Sequence, residues 1–492
     1  MPAASPRFDN SYARLPERFY SRLPPRPVAQ PQLIRVNEPL AIALGIDPRW
    51  LTSPAGIQAL AGNTIPAGAE PIATVYAGHQ FGGWNPQLGD GRALLWGEVI
   101  DPAGRRHDIQ LKGSGPTPYS RGGDGRAPLG PVMREFIVSE AMAALGIPTT
   151  RTLAAVTTGE TVYRDRALPG AVLARVAQSH IRIGTVQYFA ARQDESGLRS
   201  LLDHVIARHY PSAARAEQPY LALFDAVVGR QASLVAHWQL VGFIHGVMNT
   251  DNMLLSGETI DYGPCAFMDS FQPDAVYSSI DRGGRYAYGN QPPIAQWNLM
   301  CLAQAMLPLL GENRDAAVAA AQPLLESFTE RFAQARQRIL NQKLGLVEDS
   351  PQARQLGMDL FDILAQEQTD LTLTFRRLTE LASPTGEAEI RDIFDLPEAF
   401  GPWLARWRKM LAEQPHDPTQ GYSRMRRVNP VFIARNHLVE EVIASATENG
   451  DFQPMHDWID ILNEPYRYAE RLQRYARPPR PEQVVTATFC GT

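Results

Sequence analysis

The sequence predicts an α+β fold in two unequal lobes: a small antiparallel sheet carrying one helix, then a large, mostly helical lobe, with an extension at each end. Three observations predict it. Residues 72–176 break into short β-rich runs separated by glycine clusters, with a single helical stretch among them. From about residue 198 onward, apolar residues recur at helical spacing in segment after segment. Within that helical part, residues 245–263 form a turn-rich stretch crowded with Asn, Asp and Gly. The boundaries that follow are an arm with short helices at 1–65, a sheet lobe at 66–195, a helical lobe at 196–477 and a tail at 478–492.

Composition excludes several classes. With 492 residues the chain can bury a large core. Lys and Arg total 47 against 52 Asp and Glu, a net charge of -5, so no overall field favours nucleic acid or an acidic membrane. Three cysteines, at 265, 301 and 490, make no disulfide framework and suit a reducing compartment. No apolar run reaches the roughly 18 residues of a membrane span, and the N-terminus lacks a charged head followed by an apolar core. A cytoplasmic protein is expected.

Residues 1–40 are rich in Pro and Arg, and Pro24, Pro25, Pro27 and Pro31 prevent a regular helix, leaving an arm that is either wrapped on the body or loose. Residues 37–44 and 54–60 read as short helices. Gly89-Asp90-Gly91 ahead of a strand at 93–100 reads as a hairpin turn that could offer backbone N–H groups and the Arg92 fork to phosphate oxygens. Residues 108–112 alternate polar and apolar as a strand ending in Lys112, just before Gly113-Ser114-Gly115. A helix over 130–145 follows, with Pro131 in its first turn, a buried stripe at Met133, Ile137 and Ala141, and a stop at Gly146. Glu135 and Glu140 both lie on it, roughly 140° apart at 3.6 residues per turn, and spacing does not decide which of them meets Lys112. The connector Arg121-Gly122-Gly123-Asp124-Gly125-Arg126 reads as a ligand-facing loop. Strands are expected at 154–156, 161–163 and 171–176, with Arg175 and Arg182 at or near strand ends, where guanidinium geometry suits phosphate.

Helices are expected at 201–210, 220–240, 293–309, 314–340, 352–366, 371–381, 397–411, 429–444 and 455–463, and an irregular loop at 264–288. Between them, His245-Gly246-Val247-Met248-Asn249-Thr250-Asp251-Asn252 and Asp261-Tyr262-Gly263 have the layout of a kinase catalytic loop: a histidine, an asparagine seven positions on, then Asp before an aromatic and Gly. Short strands at 253–255 and 258–260 would carry Asn252 and Asp261, two hard oxygen donors suited to Mg²⁺ with phosphate and water completing its shell. One position departs from an ordinary kinase. The base that accepts the substrate proton would be residue 247, which is a valine, while a carboxylate stands at Asp251 instead.

The combination of Gly89-Asp90-Gly91-Arg92, Lys112-Gly113-Ser114-Gly115, Gly123-Asp124-Gly125-Arg126 and residues 245–252 closely resembles the selenoprotein O family, from about residue 5 to the C-terminus. The resemblance implies a bilobal, protein-kinase-like fold and a protein adenylyltransferase: ATP bound reversed, AMP transferred to Ser, Thr or Tyr hydroxyls of proteins, pyrophosphate released. By position it implies that Gly89, Gly91, Arg92, Lys112, Asp124, Gly125, Arg175 and Arg182 bind the nucleotide and that Glu135 pairs with Lys112. Asp251 is then the proton acceptor, and Asn252 and Asp261 hold Mg²⁺, or Mn²⁺ in its place, with Asp261 also at the nucleotide. A monomer with protein substrates, and with no nucleic acid or membrane partner, is expected. It further implies redox control through Cys490 and the segment after Asp261. Tyr277 stands where some members have the partner cysteine, leaving a Cys265–Cys490 disulfide or a plain thiol. Two other readings remain at this stage: a small-molecule phosphotransferase and an inactive nucleotide-binding scaffold.

Overall fold

A computed structural model describes residues 5–489 apart from 348, 387 and 416. Ten strands precede residue 180: β1 (Tyr20–Arg22), β2 (Gln32–Val36), β3 (Ile72–Thr74), β4 (Gly78–Gln80), β5 (Gly83–Asn85), β6 (Ala93–Ile100), β7 (Arg106–Lys112), β8 (Ala127–Pro128), β9 (Arg151–Tyr163) and β10 (Ala167–Ala177). The main sheet runs β1-β3-β6-β7-β10-β9-β2, with β8 set against β10, and its pairings are antiparallel. β4 and β5 form a separate hairpin.

Both faces of the sheet are covered. Trp96, Leu111, Leu153, Val156, Val172 and Val176 on one face pack under α1 (Glu38–Ala43), α2 (Pro48–Leu51) and α3 (Pro54–Leu60), whose N-caps Asn37, Asp47 and Ser53 each accept a backbone N–H. On the other face lies α4 (Leu129–Ala144), which begins after Pro128, buries Val132, Met133, Phe136 and Ile137, and ends before Gly146 at φ +76°. That second core continues into the helices without a break, through Leu201, Phe224, Trp238 and Leu299.

Twelve helices follow among the described residues: α5 (Ile183–Ala191), α6 (Glu195–His209), α7 (Pro219–Val241), α8 (Gln291–Leu310), α9 (Arg314–Lys343), α10 (Pro351–Glu367), α11 (Leu371–Leu381), α12 (Gly401–Ala412), α13 (Pro418–Val428), α14 (Asn436–Asn449), α15 (Gln453–Leu462) and α16 (Gln473–Ala476). α7, α8 and α9 pack on one another. Gly242, at φ +72°, ends α7 and turns the chain into a short pair, β11 (Phe243–Ile244) with β12 (Ala266–Phe267). His245 follows directly. Among the described residues, no helix is long and apolar enough to cross a membrane.

Several sequence expectations need correction. The N-terminal arm, expected as wrapped or loose, is wrapped on the body and supplies β1 and β2 at opposite edges of the sheet, its Pro24, Pro25, Pro27 and Pro31 falling in the link between the two strands. Residues 253–255 and 258–260 are not strands: only Leu254 and Thr259 make isolated bridges, to Arg182 and Thr149. Gly89–Gly91 is not a hairpin turn, since Asp90 N–H and Leu88 N–H bond to Thr74 and Tyr76 carbonyls while β6 pairs with β3 and β7. The two strands expected at 154–156 and 161–163 are one, β9, bent where Gly159 takes φ +70°. Arg175 lies near the end of β10, whereas Arg182 is the N-cap of α5, a helix the sequence reading missed along with α2, α13 and α16. The helix expected from 429 starts at Asn436.

Candidate active site

A cleft of about 640 Å³ opens between the sheet and the turn-rich stretch after β11. Strand alternation sets its floor. Gln110 and Lys112 on β7 stand opposite Arg175 and Leu173 on β10, so Gln110, Lys112 and Arg175 share one face. Arg175 donates to Gln110 Oε1 at 2.5 Å and to Glu135 Oε1 at 3.0 Å. Lys112 Nζ meets Glu135 Oε2 at 2.5 Å. The choice left open by helical spacing is thereby made: Glu135 faces the lysine. Glu140 accepts instead from Arg151, Asn37 and the Thr152 N–H, tying α4 to β9.

Asp261 is the electrostatic centre. Its Oδ1 accepts from Arg175 at 2.6 Å and Lys112 at 3.2 Å, and its Oδ2 from Arg182 at 2.9 Å. Burial works to raise its pKa, but Arg175, Lys112 and Arg182 overcome burial and hold it well below the ordinary carboxylate range. The same contest, with Lys112 and Arg175 outweighing burial, lowers Glu135. Asp261 has φ +63°, a left-handed backbone uncommon for a non-glycine residue and held here by its three cations. Arg182 is itself wedged between Asp261, the Asp251 carbonyl and the face of Tyr76, 4.7 Å from the ring centroid.

Asp251 and Asn252 sit in a tight turn, Thr250–Asn252. The Asn252 amide nitrogen donates to Val247 O at 2.9 Å, so the amide oxygen is the atom that could ligate a metal ion. Asp251 Oδ2 accepts from Gln80 Nε2 at 3.1 Å, whereas its Oδ1 is buried without a hydrogen-bond partner. Burial pushes the Asp251 carboxyl up to about 6, against the pull of Arg182 and Gln80. His245 braces the turn: Nε2 donates to Ile260 O at 2.9 Å and Nδ1 accepts from Val247 N–H at 3.3 Å, the pattern of a neutral ring, and burial lowers its pKa accordingly.

The glycines fit through close approach. A Cβ on Gly89 would strike the Tyr119 ring at 2.5 Å, and one on Gly125, at φ +66°, the Gly115 carbonyl at 2.1 Å. Gly91, Arg92, Asp124 and Gly125 all line the cleft, and Asp124 is held by Arg164 at 2.9 Å. Every site residue expected from the sequence therefore borders this cleft except Glu135, which stands behind Lys112. The sequence reading did not single out Gln80, Phe81, Tyr76, Arg126 or Arg164, which line it too. Gly78-His79-Gln80-Phe81-Gly82-Gly83 had shown only a β-like run between glycines. Among the described residues no group of three or more His, Cys, Asp or Glu could hold a metal ion. Asn252 and Asp261 supply two oxygen donors, which suits an ion that draws its remaining ligands from phosphate and water. Cys265 is buried; Cys490, and with it the expected disulfide, lies outside the described residues.

Residues 2–463 match the family described as protein adenylyltransferase SelO. A protein nucleotidyltransferase YdiU from Bradyrhizobium sp. (strain BTAi1) is 57% identical over 485 residues, covering 99% of this chain and 99% of its own. One from Rhodopseudomonas palustris (strain BisB5) is 57% identical over 486 residues with the same coverage. Similarity at this level makes the chain an enzyme, a protein nucleotidyltransferase. It belongs to the SelO family.

Proposed function

We propose that this enzyme transfers AMP from ATP to Ser, Thr or Tyr hydroxyls of other proteins. ATP lies reversed in a kinase-like, two-lobed fold, with residues 66–195 and 196–477 as the lobes, and the enzyme acts as a monomer. The observation that carries the reading is the position of the carboxylate. Val247 can accept no proton, whereas Asp251 lines the cleft with one oxygen unpartnered, beside Asn252 and close to the cations around Asp261.

Lys112, Arg175 and Arg182 would bind the triphosphate tail, with Arg92 and the loop Asp124-Gly125 nearer the mouth; Gly89 and Gly91 keep that approach narrow. Asn252 and Asp261 would hold Mg²⁺ or Mn²⁺, which when bound supplies charge neutralisation at the phosphates. Asp251 takes the proton of the acceptor hydroxyl as that oxygen bonds to the α-phosphorus, and the bond from the α-phosphorus to the bridging oxygen breaks, so that pyrophosphate departs with its electron pair. Glu135 keeps Lys112 and Arg175 in place.

ATP labelled at the α- or the γ-phosphate tests this. Protein-bound α label with γ label recovered in pyrophosphate is expected. Transfer of γ label to any acceptor would make the chain a phosphotransferase and contradict the proposal.

A further inference from the structure

The cleft has two chemically different sides. Lys112, Arg92 and Arg175 come from or adjoin the sheet, whereas Phe81, Val247, Pro264 and Ile280 make an uncharged border next to Asp251. Parts of the border are braced from behind. Phe81 N–H donates to Asn249 Oδ1 at 3.0 Å and to the Tyr286 hydroxyl at 3.2 Å, and a Cβ on Gly246 would meet the Pro264 carbonyl at 2.6 Å. On it, Phe81 and Ile280 are 38% and 51% exposed, although large apolar side chains gain by burial. Asp251, only 6% exposed, lines the same space, with its Oδ2 held by Gln80, the residue before Phe81, and its unpartnered Oδ1 buried against Gly78.

We infer that Phe81 and Ile280 form the docking site for the acceptor polypeptide, gripping an apolar side chain next to the Ser, Thr or Tyr whose hydroxyl reaches Asp251. The inference rests on the transfer reading above. Phosphate has no use for an apolar border, whereas an apolar side chain gains by covering it. Phe81 is suited to the role: at φ +51° it stands at the tip of the β4–β5 hairpin, anchored through its backbone and backed by the Tyr286 ring 5.1 Å away, with the rest of its ring exposed to pack on a ligand. A short extended segment, presenting one hydroxyl and one apolar neighbour, is what two such contacts beside one carboxylate select.

The test uses the full chain with Mg²⁺, α-labelled ATP and a degenerate peptide mixture carrying one central Ser, Thr or Tyr among randomised neighbours. Sequencing the labelled peptides should find apolar residues enriched at least threefold within three positions of the hydroxyl. In Phe81→Asn/Ile280→Asn, a pair that keeps a residue tolerant of positive φ at 81, the enrichment should vanish and the KM for ATP stay within twofold. Ile100→Asn, an equally exposed apolar site outside the cleft, should retain the enrichment. Wild-type labelling without apolar preference, or a preference that survives the double substitution, would overturn the docking site. So would a rise in ATP KM with the preference retained, which would assign both residues to the nucleotide. Absence of α label on any peptide from the wild-type enzyme, with γ label transferred instead, would count against the transfer reading itself.

Discussion

At the scale of single residues, one carboxylate collects charge and another is starved of it. Asp261 shares its two oxygens among Lys112, Arg175 and Arg182, whereas Asp251 has one oxygen with no partner and sits near a pKa of about 6. The first suits an ionised ligand and the second a proton acceptor near neutrality. Asp251→Asn keeps the volume and removes the base, so turnover is expected to fall by about 10²- to 10⁴-fold with ATP affinity largely intact; steady-state kinetics with α-labelled ATP measures both, and wild-type turnover would remove Asp251 from the mechanism. Glu258, three residues before Asp261, offers a separate check. Burial pushes it up to about 7, from an ordinary 4.5, against hydrogen bonds from Ser256 and the Gln178 N–H. A carboxyl with a raised folded-state pKa favours the fold while protonated, and that contribution is lost as pH rises through about 7. Glu258→Gln keeps an acceptor for both donors and should raise stability at pH 8 by on the order of 3 kcal/mol, with little change near pH 5, as read from urea unfolding at the two pH values.

At the scale of elements, the β4–β5 hairpin matters most. Its His79 N–H bonds to Thr250 Oγ1, its Phe81 N–H to Asn249, and its Gln80 side chain to Asp251, so it is clamped along the turn that carries the candidate base. A Cβ on Gly78 would lie 2.6 Å from Asp251 Oδ1. Gly78→Ala is expected to displace that carboxylate and lower transfer at least tenfold while ATP binding persists, a split that calorimetric ATP titration beside a transfer assay would detect. None of this was legible in the sequence, because the hairpin pairs with residues about 170 positions away. What could be read was local. α4 was delimited by Pro131 and Gly146, Lys112 by the alternation of β7, and the intervals among His245, Asn252 and Asp261 by counting. The choice between Glu135 and Glu140 was beyond counting, since it depends on Arg151 and Asn37 drawing Glu140 away. The strands expected around Asn252 and Asp261 failed for a similar reason: residues 253–255 and 258–260 are buried but make only isolated bridges, and burial alone does not make a ladder.

At the scale of the whole molecule, a sheet followed by many helices was readable from the change in periodicity, whereas the order of strands was not. The N-terminal arm closes both edges of the sheet, and the far end of the chain returns to the cleft: Thr488 is buried, its hydroxyl bonds to Pro264 O at 2.6 Å and its N–H to Tyr277 O at 2.7 Å. The segment before the C-terminus thus braces Pro264, which lines the cleft. The central claim concerns which phosphorus faces Asp251, and a crystal structure with Mg²⁺ and a non-hydrolysable ATP analogue tests it most directly. The account predicts the terminal phosphates among Lys112, Arg175 and Arg182, with the α-phosphorus nearest Asp251. A γ-phosphorus nearest Asp251, with the adenine buried beneath the sheet, would contradict it.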